Sequence, residues 1–578
     1  MTARAAGVPS RGADAPTRTT WTRDGVGAVL TVLVLGLAFR LIFAQANPNI
    51  GLSFDLDSFR GWASNLASEG LHGFYERPFF HDYTPGYLYV LWIVGTVGQA
   101  LGGIGDLIKI PAIIADVALG WLVWSMVREL GGSARAALVG ALLVVVNPVT
   151  WFDSVVWGQV DSFGLVFLLL GVRELWRDRP ERAALWTVIA ALIKPQLGIL
   201  IPVVAVVTIR RALWPSGGQG RPDPGSEAEL EAPAAGGGLL GRARAWEVRT
   251  DRPIRIVTTG LIAIATTYLL CLPFGLSVIE LTDGGLRSGL IEQVFKTAGG
   301  YPYVSVNAYN PWALAELNGN GLAASGGWIC DVVITNPVPG GPQCPEAFMV
   351  GPVPAVLIGT ALLVGAFVLI CAAIVERPDR LTILLGVTLL AIAFFVLPTR
   401  VHERYMFPFF ALGAILAAVS WRWLVAYIAL SVAAFLNMYV VLAVIYPNAE
   451  YHTMDWLGIG SWLRDDWGLP LVAITNLVVA IWAFAQLRAR GRATLAAEID
   501  APYVDEVEIG LPSLAGGGAV ARPAAAPSLA ASGPGDWTPA TALGTRVVPP
   551  GAPIAAARPA DAASADVVDR PMPRWTEP

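Results

Sequence analysis

"PGYLYVLWIVGTVGQAL", residues 85–101, is apolar and close to the length of a membrane crossing, and the side of the bilayer on which every later loop lies depends on whether it is one. Counted as a crossing, it puts "REL...AR" (128–135) outside or inverts everything downstream. Counted as a helix lying in the outer interface, it leaves twelve crossings with both ends in the cytoplasm. These are 25–45, 108–127, 136–150, 155–172, 184–194, 196–209, 254–276, 352–375, 381–397, 403–419, 423–446 and 469–487. Basic residues decide between the two counts. With 85–101 not crossing, the cytoplasmic side collects the four Arg before the first span, Arg128, Arg135, "RELWRDRPER" (173–182), the Arg-rich 210–255 segment, Arg377, Arg380, Arg422, Arg488, Arg490 and Arg492. That bias satisfies the positive-inside rule. The runs 184–194 and 196–209 are short for a bilayer and meet at "KPQ", so they are tilted, sunken helices or one broken re-entrant pair.

Working outward, the composition agrees. The chain has 578 residues, of which only 14% are charged, with 21 Trp and a mean hydropathy of +0.57. This is an all-α polytopic membrane protein, and a soluble domain is excluded. The net charge of −5 says little about partners, because orientation depends on where Lys and Arg sit. No nucleic-acid signature is present, and no internal repeat. Residues 1–24 lack the h-region and cleavage site of a signal peptide and read as a disordered cytoplasmic arm, so the first apolar run is expected to be retained as a helix. The membrane domain covers 25–487, with a flexible cytoplasmic loop at 210–253 and a large extracytoplasmic loop at 277–351. A disordered cytoplasmic tail, 488–578, follows. Cys271 and Cys371 lie in apolar runs, whereas Cys330 and Cys344 share one polar loop and either pair there or remain free thiols.

On this topology the polar residues gather on one face. The extracytoplasmic segments hold Asp55, Asp57 and Arg60 in "DLDSFRGW" (55–62), "HDYTPG" (81–86), "NPVTWFDSVVWGQVDS" (147–162), Lys194 with Gln196, and "PTRVHERYMFP" (398–408). Ionisable groups at the membrane edge are costly unless paired or facing water, so such a collection marks a solvated site. Read as a set and in this order, these motifs resemble the GT-C fold integral membrane glycosyltransferases. The likeness is strongest to bacterial and archaeal mannosyltransferases related to the second mannosyltransferase of GPI-anchor assembly, and it extends to the dolichyl-phosphate-glucose glucosyltransferases. The resemblance spans residues 25–487 and implies a first external loop carrying interfacial helices, which is what the basic residues require of 85–101.

The resemblance further implies transfer of a hexose, mannose first, from a polyprenyl-phosphate carrier to a lipid-linked glycan, glycolipid or cell-surface acceptor on the extracytoplasmic face of the cell membrane. Asp55 matches the family's catalytic position. The chemistry asks for a base for the acceptor hydroxyl, cations or donors for the departing phosphate, and apolar surface for the lipid. Asp55 is the expected base, with Arg60 keeping it ionised or binding substrate; Asp57, Tyr83, Asp153, Gln159 and Asp161 are the supporting acidic and polar groups. Against this, Asp55 or Asp57 is equally suited to cap a helix starting near Ser58. With a helix from Val155, Trp157 and Asp161 share a face, while Asp153 as a cap and Trp151 and Trp157 as an interfacial belt are the plainer reading. Lys194, Gln196, His402 and Arg404 are the expected phosphate ligands, with an ion pair between Glu403 and Arg400 or Arg404 as the structural alternative.

No cofactor is expected, since a lipid monophosphate has no pyrophosphate to neutralise; Mg²⁺ or Mn²⁺ on Asp55 and Asp57 with Asp153 or Asp161 is the alternative. The Tyr, Trp and Asn of 277–351 suit sugar recognition. A glucosyl- or pentosyltransferase of the same fold is the nearest other reading. A transporter or flippase would spread polar residues through the midplane, and a scaffold would not need them on one side.

Overall fold

The longest apolar runs fold as the longest helices, and Pro, Gly and charged residues set where they stop. The computed structural model describes residues 23–214, 253–282, 285–316, 329–335, 342–464 and 467–500. The expected arm, most of the 210–253 loop and most of the tail lie outside the described residues. The first six long helices are α1 (Arg23–Ala46), α2 (Ser53–Glu69), α3 (Pro85–Ala100), α4 (Ile110–Leu130), α5 (Ala134–Val145) and α6 (Asp161–Trp176). There follow α7 (Pro180–Ile193), α8 (Leu200–Leu213), α9 (Ile254–Cys271), α10 (Gly289–Gly299), α11 (Ala355–Glu376) and α12 (Arg380–Val396). The last four are α13 (Phe409–Val419), α14 (Trp421–Val440), α15 (Gly468–Ala485) and α16 (Ala489–Asp500). Two small hairpins, β1 (Glu280–Thr282) with β2 (Gly285–Arg287) and β3 (Met349–Val350) with β4 (Val353–Pro354), are antiparallel.

Among the described residues seven helices are long and apolar enough to cross a bilayer, or eight if the bent pair Ala134–Val145 and Pro148–Trp157 is one span. Four of the expected crossings fall on shorter helices: α6, α7, α12 and α13. The shortest, α13, has 11 residues and covers only about 16 Å at 1.5 Å per residue, about half of a hydrocarbon core. The expected span 403–419 therefore begins as irregular backbone, and such backbone is tolerated at membrane depth only where protein or a polar cavity satisfies it.

Residues 85–100 are helical, and their partner is α2. Leu56, Phe59, Trp62, Ala63 and Leu66 of α2 pack on Tyr87, Leu88 and Leu91 of α3 in an apolar cluster with Phe74 and Phe274. This pair is separate from the main core, which α4–α8 and α12–α15 supply. Helix α2 begins at Ser53, with Leu52 at its N-cap and no side-chain cap. Neither Asp55 nor Asp57 is a cap, because the helix starts five residues earlier than Ser58. Residues 489–500, expected without order, form α16. Arg422 holds Glu498 through two bonds of 2.8 and 3.1 Å, Arg492 pairs with Glu376 at 2.7 Å, and Leu495 is fully buried in the main core with Ile499 packed beside it, so ionic contacts and one apolar edge together fix this helix.

The long segment between α9 and α11 carries a disulfide between Cys330 and Cys344. Its Asn and Tyr side chains are largely used inward. Asn310 donates to the Phe395 carbonyl, Trp312 to that of Leu397 and Tyr309 to that of Leu463, while Asn437 donates to Asn307 O and Asn476 to Tyr309 O. Tyr309 and Asn310 are buried, so these two expected sugar-reading side chains serve backbone carbonyls instead; Trp312 is half-buried with its ring N–H bonded.

Candidate active site

The site is assembled by three chain breaks. Helix α7 stops at Ile193 because Pro195 follows, leaving Lys194 extended at φ −140° and ψ 118°. Just before α6, a π-helical turn, Phe152–Trp157, ends at Gly158, whose φ of +85° favours glycine. The amides of Gly158 and Gln159 both donate to the Asp153 carbonyl, at 3.0 and 2.9 Å. No helix runs from Val155 to Asp161, so Trp157 and Asp161 do not share a helical face as expected; the turn aims them at different partners. Third, "DYTPG" is seated on the end of α7. Thr84 donates to the Leu192 carbonyl at 2.7 Å, and a Cβ on Gly86 would lie 2.5 Å from the Leu192 carbonyl carbon.

These breaks converge on Asp55, in the first turn of α2. Trp157 Nε1 donates to Asp55 Oδ2 at 2.8 Å and Gln159 Nε2 donates to the same oxygen at 2.6 Å. Trp157 is fully buried, so it is not an interfacial belt residue but a hydrogen-bonding wall of the site. The Gln159 amide oxygen accepts from Lys194 Nζ at 3.1 Å and from the Tyr83 hydroxyl at 3.3 Å. Lys194 also donates to Asp161 Oδ2 at 2.8 Å, and Gln196 to Asp161 Oδ1 at 3.3 Å.

The irregular segment before α13 supplies the second cation. Arg404 Nη1 lies 3.7 Å from Asp55 Oδ2, its Nε lies 3.8 Å from Asp161 Oδ2, and its guanidinium stacks on the Trp157 ring at 4.9 Å. Nη1 also donates to Glu403 at 2.7 Å, so the expected ion pair exists beside the site contacts. Its neighbour His402 packs edge-on to Tyr301. Burial first, then the charges of Arg404 and Lys194, push its pKa down to about 3, so the imidazole is neutral. This stretch is pinned from outside by Asp331, fully buried, which accepts from Thr399 at 2.6 Å and from Arg400 at 2.8 and 2.9 Å.

Several polar atoms here are left without partners among the described residues. Both carboxylate oxygens of buried Asp153 and Nε of Arg404 make no hydrogen bond, although Asp153 lies in the field of Asp161, Lys194 and Arg404. Asp82 enters the same field. Burial first and then the charge of Asp55 push its pKa up to about 7, only partly countered by Lys194 and Arg404. Sequence reading passed over Asp82; its position inside the quoted "HDYTPG" was the available signal.

Two expected residues are elsewhere. The Asp57 carboxylate is 57% exposed and accepts from the Tyr451 hydroxyl at 2.7 and 2.8 Å. Arg60 is bound to Asn49, the Gly105 carbonyl and Asp106. The cation beside Asp55 is Arg404, not Arg60: on α2, residues 55 and 60 are five apart, about 140° around the helix, and point to different sides. Among the described residues no three His, Cys, Asp or Glu side chains are grouped to hold a metal, so Asp55, Asp57 and Asp153 do not assemble as one.

Residues 80–215 match the model of glycosyltransferase family 87. The matched stretch carries Tyr83, Asp153, Gln159, Asp161, Lys194 and Gln196, while Asp55, His402 and Arg404 lie outside it. No curated protein matches the chain. Among solved structures, the chain is similar to the crystal structure of ArnT from Cupriavidus metallidurans bound to undecaprenyl phosphate, at 15% identity and a TM-score of 0.36, over 81% of this chain and 77% of that one.

Proposed function

We propose that the protein transfers a hexose, mannose first, from a polyprenyl-phosphate sugar to a glycan or lipid-linked acceptor on the extracytoplasmic face of the cell membrane, with Asp55 as the base. One observation carries this reading: Asp55 takes both of its hydrogen bonds on Oδ2, beside an Arg404 whose Nε has no acceptor. A base with one oxygen free thus adjoins a cation that, among the described residues, has one N–H still without a hydrogen bond, a pairing suited to displacement of a phosphate by a hydroxyl. The acceptor oxygen attacks the anomeric carbon as Asp55 Oδ1 takes its proton. The bond from that carbon to the phosphate oxygen breaks, and its electron pair leaves with the polyprenyl phosphate. Arg404 and Lys194 neutralise the leaving group, neutral His402 donates to it, and Gln159 holds Asp55 and Lys194 in register. The proposed topology has twelve crossings, with both termini cytoplasmic and α2 and α3 in the outer interface.

The test is a panel of polyprenyl-phosphate mannose, glucose and pentose donors with the purified protein and membrane extracts, with and without EDTA. Consumption of the mannosyl donor, unchanged by EDTA, is expected. Consumption of glucose or a pentose moves the assignment within the fold, and no consumption of any donor overturns it. Loss of transfer on chelation with recovery in Mn²⁺ or Mg²⁺ would make the carboxylates metal ligands first.

A further inference from the structure

The external segment that follows α9 carries an apolar surface that no described residue covers. In the β1–β2 hairpin Leu281 and Leu286 are register partners, so they stand on one face of the ribbon, and they are 84% and 72% exposed. Ile291 and Phe295 of α10 are four apart and share a helix face; Phe295 is 71% exposed. Ile279, just before the hairpin, is also exposed. The opposite face of α10 is tied to the candidate site. Gln293 Nε2 donates to the His81 carbonyl at 3.2 Å, and Thr297 Oγ1 donates to the Asp82 carbonyl at 2.8 Å.

What covers the apolar face follows from what adjoins it. Helix α9 exposes Leu261 and Leu269 along its length and Leu272 just past its end, the surface of a helix that faces lipid. Ile279 lies seven residues beyond Leu272, so the exposed strip of the span continues into the hairpin and α10. The charges in this stretch, Glu280, Asp283, Arg287, Glu292 and Lys296, sum to −1. That leaves apolar insertion rather than attraction to anionic lipid as the source of binding. We infer that α10 and the β1–β2 hairpin dock on the outer leaflet of the bilayer through Ile279, Leu281, Leu286, Ile291 and Phe295, and tie the His81–Asp82 segment of the site to the membrane surface.

The test reads docking and not transfer, so it stands or falls apart from the proposed reaction. In full-length protein with Cys271→Ala and Cys371→Ala and the native disulfide kept, Phe295→Cys is labelled with the fluorophore NBD and reconstituted in phosphatidylcholine vesicles. Ala449→Cys, at an exposed turn, is the control. Lipids with a nitroxide high on the acyl chain should roughly halve emission at 295 and leave 449 unchanged. Leu281→Ser with Leu286→Ser in the labelled protein should reduce that quenching while the melting temperature holds, since both side chains are exposed. Equal quenching at 295 and 449, or none at 295, overturns the inference, as does an emission shift at 295 that follows protein density rather than nitroxide, which would mean a second copy covers the face.

Discussion

Two ionic clusters lie on the same ten-residue segment and differ in one respect. Arg40 and Asp116 are fully buried, joined Nε to Oδ2 at 2.6 Å. Arg40 further donates to the carbonyls of Gly36 and Val145 and to the Thr150 hydroxyl, and Asp116 accepts from Ser154 at 2.6 Å and from Ser162. The residues next to those serines, Asp153 and Asp161, face the other cluster, where the Asp153 carboxylate and Arg404 Nε have no hydrogen-bond partner among the described residues. One side of the segment is complete and the other is not. A buried ion pair is tolerable once its remaining hydrogen-bonding groups are satisfied, and unsatisfied ones cost stability that only a ligand or water recovers. The contrast separates a structural anchor from a candidate binding site built on the same few residues.

The sharpest way to break this contrast is to alter each side alone. Asp55→Asn keeps the shape and the bonds from one side but cannot take a proton, so turnover should fall by about 10³ with donor affinity little changed. Asp57→Asn, on the exposed side of α2, should transfer sugar at the native rate. A reversal of that pair in steady-state assays would move the base to Asp57. On the completed side, Asp116→Leu strands the Arg40 charge and should cost about 3–5 kcal/mol, seen as loss of folded protein. Adding Arg40→Met should restore much of the melting temperature. If Asp116→Leu alone melts normally while transfer is lost, the pair belongs to the chemistry and not to the frame.

The same contrast explains what could be read in advance. The motifs that converge on Asp55, namely Tyr83, Gln159, Asp161, Lys194 and Arg404, are polar residues interrupting apolar runs, and cost alone marks such residues. Arg40 and Asp116 interrupt apolar runs too, and one unmatched charge in each of two neighbouring spans was a pairing signal left unused. Which cation serves Asp55 was not legible, because Arg60 is five residues away in the chain and Arg404 is hundreds; only the fold reverses their ranking. Trp157 reads equally as a membrane-belt residue and as a donor. Tyr309 and Asn310 read as sugar ligands because composition does not show that buried carbonyls need them first.

A weaker effect sharpens the incomplete side. Arg404→Gln removes the charge while keeping hydrogen-bond capacity. One charge-assisted bond to the donor phosphate is worth about 1.5–3 kcal/mol, so donor affinity should fall by about one to two decades. Acceptor KM should hardly change. Lys194→Gln should act in the same direction. Equal losses for donor and acceptor would show that Arg404 supports the cluster without touching phosphate.

The smallest effect concerns Asp82, which no buried partner completes. Its pKa in the folded protein is about 7 against an ordinary 3.8, through burial first and the Asp55 charge second. The folded state therefore holds a proton that the unfolded chain has already released between those values. Stability from this source is fully present below the unfolded value, declines as pH rises, and is lost once pH passes the folded value. Asp82→Asn stays neutral throughout, so it should match the native protein at pH 4 and melt higher at pH 8. The residue as a whole is only half-buried and water relieves part of the burial cost, so the gain should be small, about 2 °C. Melting curves of both proteins across this range decide the matter. A difference that is flat with pH, or largest at pH 4, would mean that Asp82 is an ordinary surface carboxylate outside the field of Asp55, and the incomplete cluster would then end at Tyr83.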